Sequence, residues 1–466
     1  MLCEAVLEIM GKWRGVFPQT RTLQKAIRSA ICLLLNPGRN TISQSLVFAG
    51  LQNVDWSATF KIFSRCKWEE KRLFDSIVKE SLTYFPGDFV TIAADDTKVK
   101  KTGLKIPYTG FFFDPLSPHF HPNFLWGHRI LQASVTLPLY EQYSGQVKNE
   151  EDTYNASRGI PVRVINVPAL KKPGKRATIE EIKKYKQDSK THNMSHAFVD
   201  MVRDLRVSFD QAGASAKKLL MVVDGSFCNK TVWTAAFDRT DVIARCRKDA
   251  SLCFKAEETS RCFYAKEKFS PLSVYQDQTI QYQDCNLFIG KKYRKVRYKE
   301  VNEVYWQRGA GRKVLRLIIV SPRPYKSYGR KQLYKQQAYL LTDNQTLDAV
   351  TLIQQYVNRW EIEVNHRDEK NNIGLGQAQV WNKKSVDKQP ALLIAAYSMM
   401  LLASLKCYGT DRANEYLPQP KWRKGSTRPS CNDLLNLMRK ELYESPELQK
   451  PLGIELGIGA KYCVNH

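Results

Sequence analysis

Four residues near position 360 have types and spacing suited to holding a metal ion beside a phosphate. They are Tyr356, Arg359, Glu363 and Lys370, in the run QQYVNRWEIEVNHRDEKNNIGLG. On one continuous helix, at about 100° per residue, these four and Arg367 fall within an arc of roughly 80°. An apolar stripe of Ile353, Val357, Trp360 and Val364 runs beside them. A carboxylate among cations and a phenol can ligate a hard cation while Arg and Lys meet phosphate oxygens. The same spacing suits a solvated helix face on which Glu363 pairs with Arg359 and Arg367. Two further acidic positions bear on that choice. In FVTIAADDTKVKKTG, residues 89–103, an apolar run leads into Asp95, Asp96 and Thr97, and in LLMVVDGSF, residues 219–227, a similar run ends at Asp224.

The pattern Y-x2-R-x3-E-x6-K at Tyr356 to Lys370 resembles the motif around the third acidic residue of the DDE transposases of bacterial insertion sequences. That family also keeps an aspartate at places like the two apolar runs above, and the match in order and context covers roughly residues 20–405. The resemblance implies that Asp96, Asp224 and Glu363 are the catalytic, metal-binding carboxylates. Asp95 rivals Asp96; the family's first aspartate directly precedes a threonine, as Asp96 precedes Thr97, and neighbours on a strand point to opposite faces. Asp224 also suits a plain strand-end turn, capping Gly225 and the helix after it. Phosphodiester cleavage by two metal ions needs carboxylates converging on cations roughly 4 Å apart. Such a cluster repels itself without metal, so two Mg²⁺ (or Mn²⁺) ions are expected. Tyr356, Arg359 and Lys370 would hold the DNA strand at the scissile phosphate, with Arg367 as a further phosphate contact.

The implied activity is transposition: cleavage at the ends of an insertion sequence and joining of the 3′ ends to target DNA. The partners would be double-stranded DNA, both inverted-repeat ends and target, and a second copy of the chain in a synaptic homodimer. Two alternatives remain open: an RNase H-like nuclease without strand transfer, and a catalytically inactive DNA-binding regulator descended from a transposase. In some relatives an inserted tryptophan receives a flipped base; the candidates here, Trp306 and Tyr339, match poorly. Lys100 and Lys101 are either phosphate contacts or solvated loop residues.

Composition agrees with a polyanion partner. Lys plus Arg number 72 against 46 acids, a net charge of +26, and such an excess attracts nucleic acid. It is concentrated between Asn286 and Lys335, where fifteen Lys or Arg face two acids, Glu300 and Glu303. Tyr293, Tyr298, Tyr305, Tyr325, Tyr328, Tyr334 and Trp306 are interleaved, offering rings to sugars or splayed bases. Other chemistries fail on inspection. None of the eleven cysteines forms a C-x-x-C pair, and His119 and His121 lack partners at zinc spacing. Gly309 and Gly311 have no following G-K-[ST], and no G-x-S-x-G is present. MLCEAVLEIMGKW does not read as a signal peptide, and Ala391–Leu405 reads as a buried core helix rather than a membrane span. No membrane association is expected, and the resemblance places the chain in bacterial cytoplasm and nucleoid.

The elements that must position these residues read as α/β. Residues 1–85 are expected to be a helical, DNA-end-binding domain: Asn40 and Thr41 sit where an N-cap would before ISQSLVFAGL, and Asp55 before WSATFKIFSR, with Gly50 between as the turn of a helix pair. Residues 86–250 carry buried strands at Phe89–Ala94, Ile130–Leu139, Leu219–Val223 and Val242–Cys246, a helical pattern over His196–Ala212, and a lysine-rich loop and helix from Lys171 to Lys190. The resemblance makes this the first part of an RNase H-like catalytic core. Asp96 lies 128 residues before Asp224 and Asp224 139 before Glu363; the second gap exceeds a bare core, so residues 251–335 are expected to be a basic, β-rich insertion. Residues 336–409 complete the core, with a strand at Ala338–Leu341 and the helix bearing Glu363. Residues 410–466, with a helical stretch at Asn432–Tyr443, form a C-terminal helical region that either helps dimerisation or packs within one subunit.

Overall fold

The computed structural model describes residues 1–114, 117, 118, 120, 121, 123–139, 156–290, 292–325, 333, 334, 336–409, 429–454 and 456. The chain opens with helices α1 (Leu2–Gly11), α2 (Thr20–Leu35), α3 (Ile42–Phe48), α4 (Ser57–Ser64) and α5 (Asp75–Leu82). Their starts follow the side chains that satisfy free helix N–H groups. Thr41 Oγ1 accepts from Gln44 N at 3.2 Å, and Asp55 Oδ1 from Ser57 N at 2.9 Å. Gly50, at φ 73°, turns the chain between α3 and α4.

Strands β1 (Phe89–Lys100), β2 (Gly110–Phe113), β3 (Phe124–Leu139) and β4 (Ala156–Val167) come next, then α6 (Ile179–Thr191), α7 (Met194–Gln211), β5 (Lys218–Val223), the short α8 (Lys230–Trp233) and β6 (Thr240–Arg245). After α9 (Pro271–Gln276) come β7 (Gln283–Ile289), β8 (Lys292–Val304) and β9 (Leu315–Val320), a minimal pair β10 (Pro324–Tyr325) and β11 (Leu333–Tyr334), and β12 (Ala338–Thr342). Helices α10 (Ala349–Asn358), α11 (Trp360–Asn371), α12 (Lys383–Tyr408), α13 (Cys431–Glu444) and α14 (Pro446–Leu452) close the described chain.

The result is a mixed α/β fold around one mixed sheet, in the order β2-β3-β1-β5-β6-β12-β9-β8-β7. β4 pairs with β3 on the edge that β2 also uses. β1, β5 and β6 are mutually parallel, and β3 and β12 run antiparallel to their neighbours. The central strands are apolar on both faces because both are covered: Val90, Ile92, Ala93 and Ala94 of β1 and Leu219 to Val223 of β5 are all buried.

Three features depart from the sequence reading. The basic β-rich stretch does not form a sheet of its own, because β9 pairs with β12 from Ala338↔Val320 to Thr342↔Arg316 and so carries β8 and β7 onto the central sheet. β4 was not foreseen, since SRGIPVRVINV hides its burial pattern behind two arginines and a proline; Arg158 and Arg163 are nonetheless buried. The helix bearing Tyr356 and Glu363 is two helices, interrupted at Arg359, where Ile362 N bonds back to Arg359 O at 3.1 Å in a tighter turn. Tyr356, Arg359 and Glu363 still share a face across the interruption, while Arg367 stands apart beside Asp368.

The N-terminal helices share their core with the sheet. Leu2, Trp13, Leu34, Phe63 and Phe74 belong to one apolar cluster with Leu137 of β3 and Leu393 and Met400 of α12. α12 is the one described helix long and apolar enough to cross a membrane, and 83% of its apolar window is buried in this core. α13 packs within the same chain: Glu441 caps α1, accepting from Leu2 N at 3.0 Å and Cys3 N at 2.7 Å, and Arg439 Nε donates to Leu35 O at 2.8 Å.

Candidate catalytic site

The last rung between β1 and β5 is Ala94↔Val223. The next residues along the two parallel strands are Asp95 and Asp224, on backbones about 4.8 Å apart, so the register brings these acids together where β5 ends. Their proximity is felt electrostatically. Burial first, and then the Asp224 charge, push the Asp95 carboxyl up to about 7, against the opposing pull of Arg359.

Arg359, at the break between α10 and α11, reaches into this corner. Its Nη1 lies 3.1 Å from Asp95 Oδ2 and its Nη2 2.7 Å from Glu363 Oε1, one turn into α11. The guanidinium is largely buried, with 13% of the side chain exposed, and lies 5.9 Å from the centre of the Tyr356 ring. Asp95, Asp224, Arg359, Glu363 and Tyr356 thus form one cluster. Burial raises the Tyr356 phenol, and Arg359 and Arg245 counter it while Asp224 adds to it.

The structure distributes the expected residues unevenly. Asp96 does not join Arg359; its two oxygens accept from Arg129 of β3, Nε at 2.6 Å and Nη2 at 2.7 Å. The two adjacent aspartates have different partners, as alternation along a strand demands, and the one nearest Glu363's cation is Asp95. Lys370 shares its surroundings with Glu369, Lys98 and Asp96. Arg367 is turned away, 64% exposed and 3.5 Å from Asp368, on a cavity of about 760 Å³ also lined by Trp360 and Asn365. Asp224 makes the cap that strand-end aspartates make: its Oδ1 accepts from Ser226 N at 2.9 Å and Ser226 Oγ at 2.6 Å. Among the described residues no three Asp, Glu, His or Cys side chains are grouped as a metal cage; Arg359 stands between Asp95 and Glu363.

Several basic candidates prove to be internal fasteners. Lys101 is buried, its Nζ donating to Gly376 O at 3.0 Å and Ala378 O at 2.7 Å, whereas Lys100 is exposed. Within the basic stretch, buried Lys299 donates to the carbonyls of Val274, Tyr275 and Asp277. Arg316 pairs with Glu300 and donates to Leu347 O at 2.6 Å. Trp306 folds over its own turn against Gly309, while Tyr339 lines a cavity of about 580 Å³ with Asp224. His119, Tyr328 and Lys335 lie outside the described residues, as does most of 410–466.

That same cavity holds what the sequence reading missed. Arg245 ends β6, and it and the following Arg247 and Lys248 border the space beside Asp224. The signal was present as three cations within ARCRKD, but a strand had to be placed beside Asp224 before they meant anything. A second missed group is Glu369, wholly buried, whose carboxyl burial drives up to about 8 and which accepts from Gln132 Nε2 at 2.9 Å. Compared with known proteins, the chain matches no family model and no curated protein.

Proposed function

We propose that this chain is a DNA transposase of the DDE type, with an RNase H-like core made by β4, β3, β1, β5 and β6. The observation that carries the reading is the meeting of Asp95 and Asp224 where the parallel pairing of β1 with β5 ends, with Glu363 delivered to the same corner by Arg359. The strand order, with β3 antiparallel between β4 and β1 and β5 and β6 continuing in parallel, supports it.

The donor set suits Mg²⁺ or Mn²⁺. Asp224, Glu363 and an aspartate of the Asp95–Asp96 pair are hard oxygen ligands. Asp95 is the better placed, because it shares Arg359 with Glu363 and stands beside Asp224, whereas Asp96 is held by Arg129. Burial, and after it the Asp224 charge, raise the Asp95 carboxyl. Two ions bound here would supply activation of water and stabilisation of the leaving 3′ oxygen. The chain's own groups then have distinct tasks. Arg359, freed from its carboxylates, and Lys370 meet phosphate oxygens of the strand to be cut, and Tyr356 orients that strand from α10. Arg245, Arg247 and Lys248 hold phosphates on the Asp224 side. Both ends of an insertion sequence must be held together for joining, so the working form is a homodimer on double-stranded DNA.

The test uses purified protein and a plasmid carrying the chain's gene with its genomic flanks. Mg²⁺-dependent cleavage at the flank repeats, and joining of pre-cleaved ends to target DNA, are expected. Asp224→Asn and Glu363→Gln should abolish both while leaving DNA retardation in gels unchanged. Cutting without joining would make the chain a nuclease, and DNA binding with no cutting in any metal would make it a regulator; either result overturns the proposal.

A further inference from the structure

Helix α11 is tied to the central sheet at both of its ends, and both ties land on one rung. The pairing of β1 with β3 sets Gln132 directly opposite Asp95, so the two side chains stand on the same face. Arg359, just ahead of α11, reaches Asp95 at 3.1 Å. Glu369, in the last turn of α11, accepts from Gln132 Nε2 at 2.9 Å. Ten residues, or about 15 Å of helix, separate the two anchors, and Glu363 lies between them. Two ties that converge on one rung keep the helix from sliding along the sheet or turning on its axis.

The Arg359 tie is ionic, and the Glu369 tie has a different chemistry. Glu369 and Gln132 are both wholly buried. Lys370 and Asp368 on the same helix and Tyr397 of α12 are the titratable groups that feel Glu369, yet among the described residues no cation forms an ion pair with it; Arg367 turns to Asp368 instead. One amide N–H cannot offset the cost of burying a carboxylate, and burial drives the Glu369 carboxyl up to about 8. A neutral acid carries an O–H that needs an acceptor. Glu369 Oε2 and Gln132 Oε1 are both buried without a hydrogen-bond partner, and they are the second atoms of the two groups already joined. A carboxylic acid laid against a primary amide closes both gaps at once: the amide N–H donates to one acid oxygen while the acid O–H donates to the amide oxygen. Ser134 Oγ, 3.5 Å away, takes the other amide proton.

We infer that Glu369 is held as a neutral carboxylic acid, doubly hydrogen-bonded to the Gln132 amide, and that this pair positions α11 so that Glu363 faces Asp95 and Asp224. An uncharged tie suits the place, because an ionised Glu369 would add negative charge behind carboxylates that already oppose one another's ionisation. The acid–amide pair stands on its own geometry. Its positioning task rests on the transposase reading, which supplies the carboxylate site to be positioned.

Infrared spectra of the full chain in EDTA at about pH 6.5 read the protonation directly. Subtracting Glu369→Gln from wild type should leave one carbonyl band of a protonated carboxyl, and its absence overturns the inference. Mn²⁺ affinity by titration calorimetry reads the positioning. Glu369→Gln, which can form the same two hydrogen bonds, should bind Mn²⁺ within about twofold of wild type, whereas Glu369→Leu should lose about tenfold or more. Gln132→Glu should also lose affinity, and the exchanged pair Gln132→Glu/Glu369→Gln should recover it, a rescue that a general packing defect would not show. Unchanged affinity in Glu369→Leu overturns the inference, as does failure of the exchanged pair to recover. A wild-type chain that shows the band but binds no Mn²⁺ and cuts no DNA overturns the transposase reading and the positioning task, and leaves the acid–amide pair standing. One that cuts DNA without showing the band overturns this inference alone.

Discussion

Asp95→Asn offers the most direct test of the cluster, and its effect follows from one pKa. A carboxyl that ionises ordinarily at 3.8 but at about 7 in the folded chain takes up a proton on folding between those values. The folded state therefore has its full share of stability from this group below about pH 4 and loses it as pH rises through about 7. Between pH 5 and pH 8 the loss amounts to roughly 2.5 kcal/mol for this single group. Asn cannot titrate, so the variant should lack that portion of the pH dependence, while every other titrating group contributes equally to both proteins. Urea unfolding at pH 5 and pH 8, in EDTA, gives the two differences. Wild type should lose about 2 to 3 kcal/mol more than Asp95→Asn over that range. Adding Mn²⁺ at pH 8 should restore the loss in wild type and not in the variant. A wild-type and variant pH dependence that agree within about 0.5 kcal/mol would refute the claim that Asp95 is the strained acid beside Asp224.

Other substitutions probe neighbouring parts. Arg359→Ala should cost about 2 to 3 kcal/mol in urea unfolding at pH 8, because Asp95 and Glu363 lose a shared, largely buried cation; a cost under about 0.5 kcal/mol would place it among ordinary surface pairs. Glu369→Gln should relieve a pH-dependent penalty: with its carboxyl raised to about 8, wild type loses stability as pH climbs from about 4.5 through about 8, and the variant should not. Paired melting curves at pH 6 and pH 9 check this. Gly376→Ala should cost about 2 to 4 kcal/mol, since Gly376 sits at φ 98° and an added Cβ would lie 2.1 Å from Val99 Cγ1; chemical denaturation reads it directly.

Much of the local structure was legible because local chemistry dictates it. Of Asn40 and Thr41 it is Thr41 that caps α3, Asp55 bonds Ser57 N from one residue ahead of the α4 N-cap position, and LRLIIV is β9 residue for residue. The order of the acids, Asp224 at a strand end and Glu363 on a late helix were equally visible, but β1 runs on to Lys100, so Asp95 and Asp96 lie inside the strand expected to end at Ala94. β4 was hidden because its buried arginines mimic a surface segment, and burial of Arg163 is settled by α7, whose Ser208 accepts from it at 2.7 Å. Counting fifteen cations in the basic stretch overstated its free charge, since Lys299 and Arg316 spend theirs on internal carbonyls and Glu300.

By itself the sequence determined many of the helices and strands, though not β4 or the division between α10 and α11, and which side chains have the chemistry to hold cations and phosphates, because capping, alternation and apolar periodicity act over a few residues. Tertiary structure alone decided that Asp95 rather than Asp96 meets Arg359, that a break at Arg359 aims its guanidinium into the sheet, and that the β-rich stretch extends the central sheet. Those outcomes depend on strand register and on which groups share a buried corner. Both are long-range properties that a shift of one residue in pairing would reverse.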